Sequence, residues 1–403
     1  MDAVDFPIFD ADNHYYEATD AFTRHLDPAM RKRTMQWAEV DGKTRLLVGG
    51  KVNRFIPNPT FAAVSRPGVL ADFFRAKDGV GDMRAGLGEL DPIETRPEYR
   101  DREARLAVMD QQGIEQTIML PTLGVGMETA LEHDPEALTA AFAAFNRWLL
   151  EDWGFNHQER IYGAPYITLA DPAAAVAELE HALDHDARVV LMRPGPVAVP
   201  SGRATPGDVR HDAFWARLDE AGITLVVHGG DSSYAAYEHL WGLSGEVEAF
   251  RIPALKRLLS ASPIQDFMAS LMADKVFERF PNVRVATIET GSGWVRPLLK
   301  KLRSVSIQMP GEFAQDPFEL FLEHVWVSPF FEDDVYALVD AVGADRVVFG
   351  SDWPHVEGLA VPSDFVKEIA NLDDDAIRKI MRGNARDLVT PRAPLAGARP
   401  KAG

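Results

Sequence analysis

Cysteine is absent from the 403 residues. That excludes disulfides, thiolate metal ligands and a cysteine nucleophile, so any bound metal must take histidine nitrogen and carboxylate oxygen. Basic side chains are the minority, 42 Lys and Arg against 61 Asp and Glu, for a formal net charge of −19. Such a chain repels phosphate backbones and anionic lipid surfaces, and no Lys/Arg-dense helix reverses this locally. Long apolar runs are missing too: nothing approaches the roughly 18 to 20 residues of a membrane span. The opening Met1-Asp2-Ala3-Val4-Asp5 lacks a basic stretch leading into an apolar one. The expectation is a soluble, cytoplasmic protein whose partner is a small molecule, with no nucleic acid and no membrane.

What is present is a large apolar fraction, 46%, beside 26% charged residues, enough to bury one big α/β core. Short β-rich runs alternate with helical patterns. Candidate strands are Phe6 to Asp10, Ile114 to Leu120, Ile161 to Thr168, Arg188 to Arg193, Thr224 to His228, Arg284 to Glu289, Val325 to Ser328 and Arg346 to Gly350. Eight such runs predict a (β/α)8 TIM barrel. Asp171-Pro172, Ser363 and Asp373 read as helix starts, and Gly113 and Gly222 as helix ends.

Two stretches interrupt the repeat. Residues 15–97 hold a hairpin (Thr44 to Val48, Gly49-Gly50, Val52 to Ile56) and a Pro/Gly-spaced region, and are expected to cap the barrel mouth. Residues 229–262 carry Tyr234, Tyr237, Trp241 and Phe250, which either wall a pocket or meet a neighbouring subunit of a homo-oligomer, a homodimer being the simplest. A single domain over 1–390 and a frayed tail over 391–403 complete the expected layout.

In a barrel of this kind functional groups gather at the carboxyl ends of the strands. Asp12 and His14, two apart after the first apolar run, His228, Glu289 and Asp352 all fall at such ends. Five ligand-type residues on four strands point to a divalent cation that activates water or substrate. A carboxylate-rich set favours Mn or Fe over Zn and suffices for one ion or, with Glu289 bridging, two. His355 and Glu17 are expected behind the ligands, His355 orienting Asp352. Arg193 suits a clamp on a substrate carboxylate, or else an ion pair at the barrel rim. Trp294 and Trp353 either stack on a planar substrate or fill core.

Asp12-x-His14, His228, Glu289, the strand-eight motif Gly350-Ser351-Asp352-Trp353-Pro354-His355 and the closing helix at Gly383-Asn384-Ala385 together resemble the amidohydrolase superfamily. Within it the chain is most similar to the amidohydrolase-related branch of aminocarboxymuconate-semialdehyde and resorcylate-type decarboxylases. The resemblance implies metal ligation by Asp12, His14, His228 and Asp352. Two positions depart from it: Asp12 stands where the family has His or Glu, and Glu289 where strand six often ends in a histidine. The implied activity is a metal-dependent hydrolase or non-oxidative decarboxylase of a small carboxylated or aromatic substrate. Asp352, Glu289 and His228 are its catalytic candidates, with Asp352 the base in hydrolysis. The missing strand-six imidazole weighs slightly toward hydrolysis. A non-haem di-iron or Mn/Fe oxygenase is the alternative, and a silent partner subunit a second.

Overall fold

The computed structural model describes residues 4–56, 58–71, 87–243, 253–259 and 262–393. Seven parallel strands carry ladders: β1 Ile8–Tyr15, β2 Ile114–Pro121, β3 Ile161–Gly163, β4 Val189–Met192, β5 Thr224–His228, β6 Arg284–Ile288 and β7 Val325–Val327. Every residue of β1, β5 and β6 is buried, because a parallel strand is covered on both faces, and Leu225-Val226-Val227 and Val285-Ala286 are the apolar runs that this demands of β5 and β6.

The ladders form two arcs, β1-β2-β3 and β4-β5-β6-β7. A bridge between Tyr166 and Leu191 joins β3 to β4. The eighth stave, residues 347–353, is held by single contacts. Val347 bridges Val327, Phe349 O accepts from Ala11 N at 2.9 Å, and Asn13 bridges Trp353, so the circuit returns to β1 as a (β/α)8 barrel.

Two differences from the expected strands matter for the site. β1 was expected to end at Asp10 and runs on to Tyr15, so Asp12 and His14 lie inside it. Polar residues are tolerated there because partners are built in. Thr117 Oγ1 donates to Asp10 O, and Ser351 N and Oγ donate to the Asp10 carboxylate at 2.9 and 2.5 Å. The eighth run, expected as a strand over Arg346 to Gly350, carries no ladder. Its backbone turns to the closing helix instead, where a π-helical turn at Lys379–Gly383 frees Ile380 O to accept from Phe349 N. Asn384 Nδ2 adds bonds to Ala344 O and Val347 O, both 2.7 Å.

Aspartates start the helices. Asp101 caps Arg102–Gln112, Asp134 caps Pro135–Asp152, Asp171 caps Pro172–Asp184, and Asp373 caps Asp374–Arg378. Ser363 does not cap; it lies inside a 3-10 segment, Pro362–Ile369, that opens after Val361. Gly113 (φ 72°) and Gly222 (φ 62°) end their helices in the left-handed region.

The cap carries an antiparallel sheet of Met35–Val40, Lys43–Val48 and Lys51–Val52. The expected hairpin over Thr44 to Ile56 is thus only its second half, and its last strand is two residues long. Asp41-Gly42, both at positive φ, makes the unforeseen first turn, the two-residue connection that matches strand twist. After β5, helices cover Ala235–Leu240 and Ala254–Leu258, while Phe250 lies outside the described residues. At the other end Arg392 N still donates to Gly222 O, so the expected tail is tied at its start; residues 394–403 lie outside the described part. Among the described residues no helix is long and apolar enough to cross a membrane.

Candidate metal centre

Asp12, His14, His228 and Glu289 bring one donor atom each within 4.8 Å of one another, and His14, Glu289, Asp352 and His355 form an overlapping group by the same measure. His14 Nε2 lies 3.1 Å from Asp12 Oδ1, 3.4 Å from Asp352 Oδ1 and 3.5 Å from Glu289 Oε2. His228 Nε2 lies 3.0 Å from Glu289 Oε2 and 3.6 Å from Asp12 Oδ1. Donors ~2.1 Å from a common ion stand about 3.0 Å apart at octahedral corners and about 3.4 Å at tetrahedral ones, so these spacings are those of a coordination shell. His228 Nε2 is buried with no hydrogen-bond partner despite its nearness to Glu289, the condition of a ligand nitrogen aimed at a shared point. Its Nδ1 lies 2.7 Å from Gly229 O, which fixes the ring with Nε2 toward the cluster. The donor set fits a divalent cation.

Backbone placement is unusual at two of these residues. Glu289 (φ 51°) and Asp352 (φ 57°) occupy the left-handed region that residues with a Cβ avoid. Glu289 follows directly on β6 and Asp352 lies near the end of the eighth stave, and both carboxylates reach His14 Nε2. Gly229 permits the approach: a Cβ there would lie 2.2 Å from Glu289 O.

The cluster's charge pattern asks for a cation. Burial works against charge on His228, yet Glu289 and then Asp12 outweigh it and carry the imidazole up to about 10. Burial likewise opposes charge on His14, which Asp12 and Glu289 overcome. Glu289 is held well below the usual carboxylate range, its burial outweighed by the two imidazoles, whereas burial and the neighbouring Glu289 push Asp352 well above it. Protons therefore occupy the positions that a divalent ion takes when it binds.

His355 faces the cluster with both nitrogens engaged, Nδ1 2.5 Å from Asp352 Oδ1 and Nε2 2.9 Å from Thr122 Oγ1. That leaves Asp12, His14, His228, Glu289 and Asp352 as candidate donors, the same five that the sequence proposes. Glu17 is not among them. Its carboxylate accepts from Leu123 N at 2.8 Å and Gly124 N at 2.9 Å, pinning the loop after β2.

Sequence reasoning passed over the residues that align β1 with the eighth stave. Asp10 ties Ser351 and Asn13, and buried Arg105 bonds Asn13 Oδ1 and, at 2.7 Å, His14 O, with its guanidinium 4.5 Å over the Trp353 ring. The signal was available: Asp10 and Asp12 share the same two-residue spacing as Asp12 and His14.

Above the donors opens a chamber of about 500 Å³. Its roof is the cap, with Phe55, Ile56, Phe61, Val64 and Leu90; Pro121, Val125 and Val356 wall it, and His14, Glu289, His355 and Glu357 supply its ionisable groups. Three residues expected to meet substrate lie elsewhere. Arg193 is buried at the rim, its Nη1 donating to Thr129 Oγ1 (2.8 Å) and Ser233 Oγ (2.7 Å) and its Nε 3.3 Å from Glu128, so the ion-pair alternative describes it. Trp294 packs against Phe321 and donates to Gly291 O. Trp353 is covered by Arg105 and Tyr99. Among the described residues after β5, Gly229 and Gly230 alone line the chamber; Tyr234 lines a neighbouring cavity of about 980 Å³.

Comparison with known proteins follows the same lines. The crystal structure of an amidohydrolase from Mycobacterium avium subsp. paratuberculosis K-10 superposes with a TM-score of 0.91 at 42% identity, covering 96% of this chain and 100% of that one. Gamma-resorcylate decarboxylase of Rhodococcus jostii (strain RHA1) is 25% identical over 303 residues, 71% of this chain and 87% of the relative. The dihydroxybenzoic acid decarboxylase of Polaromonas sp. JS666, solved with bound manganese and 2-nitroresorcinol, shares the fold at a TM-score of 0.55 and 17% identity, over 73% of this chain and 88% of its own. The amidohydrolase family profile matches residues 9–390, and with that span and the 42% identical crystal structure the chain belongs to the amidohydrolase family and is an enzyme of its superfamily.

Proposed function

We propose that this enzyme is a metal-dependent, non-oxidative decarboxylase of an aromatic carboxylic acid. The observation that carries the reading is the donor cluster, of which His14 and Glu289 open onto a largely apolar chamber. Support comes from the relatives, since the Rhodococcus protein is a gamma-resorcylate decarboxylase and the Polaromonas one was solved with manganese. They weigh against the tilt toward hydrolysis that the missing strand-six histidine suggested. Neither the oxygenase nor the silent-subunit alternative gains support from them.

Asp12, His14, His228, Glu289 and Asp352 would hold one ion, manganese first among the choices. When bound, that ion supplies a positive charge that anchors the substrate carboxylate and polarises the adjacent oxygen. The chain's own residues supply the proton. Asp352 would be the acid: its carboxyl stands 3.4 Å from His14 Nε2 and 2.5 Å from His355 Nδ1. Asp352 delivers the proton to the ring carbon as the bond to the carboxyl carbon breaks. The electron pair of that bond takes the proton, carbon dioxide leaves, and solvent reprotonates the aspartate. His355, fixed by Thr122, keeps Asp352 oriented. Phe55, Phe61 and Val64 line the chamber with apolar surface, which disfavours water beside the reacting carbon.

The core runs unbroken from Ile8 to Val389, which supports reading residues 1–390 as one domain. A cytoplasmic homodimer completes the proposal. Leu240, Trp241 and Leu258, exposed after β5, offer apolar area for a second copy to cover. The deciding test is carbon dioxide release from hydroxybenzoates by manganese-loaded protein, with Asp352→Asn as the control. Release should fall by roughly 10³-fold or more in the variant. Turnover unchanged in Asp352→Asn would remove the assigned acid, and no release from any aromatic acid would remove the reading.

A further inference from the structure

The volume and lining of the chamber specify more than the reaction class. At about 500 Å³ it has room for roughly sixteen waters at ~30 Å³ each, which is more than the roughly ten non-hydrogen atoms of a one-ring acid fill. The surplus lies on the cap side, between Ile56, Phe61, Val64 and Leu90 and the opposite wall of Pro121, Val125 and Val356. These side chains are apolar, and the lining also holds the neutral polar Tyr16, Asn58, Ser65 and Thr122. Among the described lining residues there is no lysine or arginine, and the rim guanidinium that could have met a second anion, Arg193, is taken up by Glu128, Thr129 and Ser233. A carboxylate buried in that upper part would meet no counter-ion among the described lining residues, and an unpaired buried charge is strongly disfavoured.

Resting on the decarboxylase reading for the placement of the acid group, we infer that the substrate is a monoanionic acid whose uncharged, apolar body is larger than a single aromatic ring. Its one carboxylate goes down to the donor cluster and its hydrophobic bulk goes up under the cap. Apart from the cluster and His355, Glu357 is the acidic group of the described lining and Tyr16, Asn58, Ser65 and Thr122 are its neutral polar residues, so hydroxyls are the polar substituents the chamber can accept there.

Calorimetric titration of the manganese-loaded full chain tests this through binding, independently of turnover. The probes are salicylate, 3-hydroxy-2-naphthoate, which adds one fused ring to it, and a naphthalene dicarboxylate. The extra ring removes apolar surface from water, and hydroxynaphthoate is expected to bind tenfold or more tighter than salicylate. The dicarboxylate is expected at least tenfold weaker than the naphthoate. Ile56→Trp fills the cap-side space without touching the donors, and should erase the preference for two rings while salicylate binding persists. Hydroxynaphthoate binding no tighter than salicylate, a dicarboxylate binding as well as the monoacid, or a preference that survives Ile56→Trp would each overturn the inference. Carbon dioxide release is scored separately: tight naphthoate binding without release discards the reaction and leaves the substrate shape standing, and release from salicylate with no gain from the second ring does the reverse.

Discussion

Glu289 and Asp352 show what a single residue contributes when its backbone is held against its preference. Both are non-glycine residues at positive φ, a conformation that carries about 1–3 kcal/mol each and persists where the surroundings dictate it. At Glu289 the strain and the donor can be separated. Glu289→Gly removes the carboxylate and relieves the backbone, whereas Glu289→Ala removes the carboxylate alone. Stripped of metal, the glycine variant should unfold about 1 kcal/mol later than the alanine one in thermal melts, while both bind manganese at least roughly 100-fold more weakly. Equal melts for the two would mean that the backbone there is unstrained.

Protons and metal compete at the same atoms. His228 is held at about 10 and His14 above its ordinary value, so below those points each imidazole carries a proton that the ion must displace. Affinity therefore falls as the solution is acidified, about tenfold per pH unit for each proton released. Titrating manganese in between pH 8 and pH 6 should show at least a ~100-fold loss, with proton release visible from buffers of different ionisation enthalpy. A pH-independent affinity would place the ion away from the imidazoles. These donors were legible in the sequence because ligand chemistry is restricted to few residue types and barrel geometry restricts where they stand. Asp10 and Arg105 were not, since their role is contact with Ser351, Asn13 and backbone far away in the chain.

Among the elements, the eighth stave is the most dependent on its neighbours. The sequence Val347-Val348-Phe349-Gly350 has strand character, but whether it builds a ladder depends on what lies beside it. Here the closing helix, through its π turn, takes the hydrogen bond from Phe349 N that a strand would have taken. The cap sheet was half legible for a different reason: Gly49-Gly50 was taken as the turn while Asp41-Gly42, the stronger local signal, went unread. Gly350 is where the stave meets β1. A Cβ on it would lie 2.5 Å from the Asp12 Cβ and 2.8 Å from Ser328 Oγ, so Gly350→Ala must push Asp12 from the donor cluster or lift the stave. Overpacking of this kind destabilises by about 1–3 kcal/mol. Metal content by elemental analysis should fall well below that of the parent protein while circular dichroism stays native; full occupancy would show that the stave gives way without moving Asp12.

Across the whole molecule, the donors come from β1, the end of β5, the end of β6 and the eighth stave, residues 12 to 352 of the chain. An ion at their centre would tie both arcs of the barrel to the stave that has no ladder of its own. Without it, like charges and buried imidazolium protons face each other across the mouth, and the eighth stave is left to its isolated bridges to β7 and β1 and the bonds of Ser351 to Asp10. Binding to the folded state alone stabilises it by about 2.7 kcal/mol when free metal is 100 times its dissociation constant. In a chain of 403 residues a kilocalorie moves the thermal midpoint by roughly 1–2 °C, since the unfolding entropy grows with length. Chelation should therefore lower the midpoint by roughly 3–5 °C, and manganese should restore it. The same treatment of His228→Ala should produce almost no shift, because the ion it removes is barely bound. A midpoint in the parent protein that ignores both chelator and manganese would mean that these carboxylates and imidazoles do not share an ion, and the proposed chemistry would fall with them.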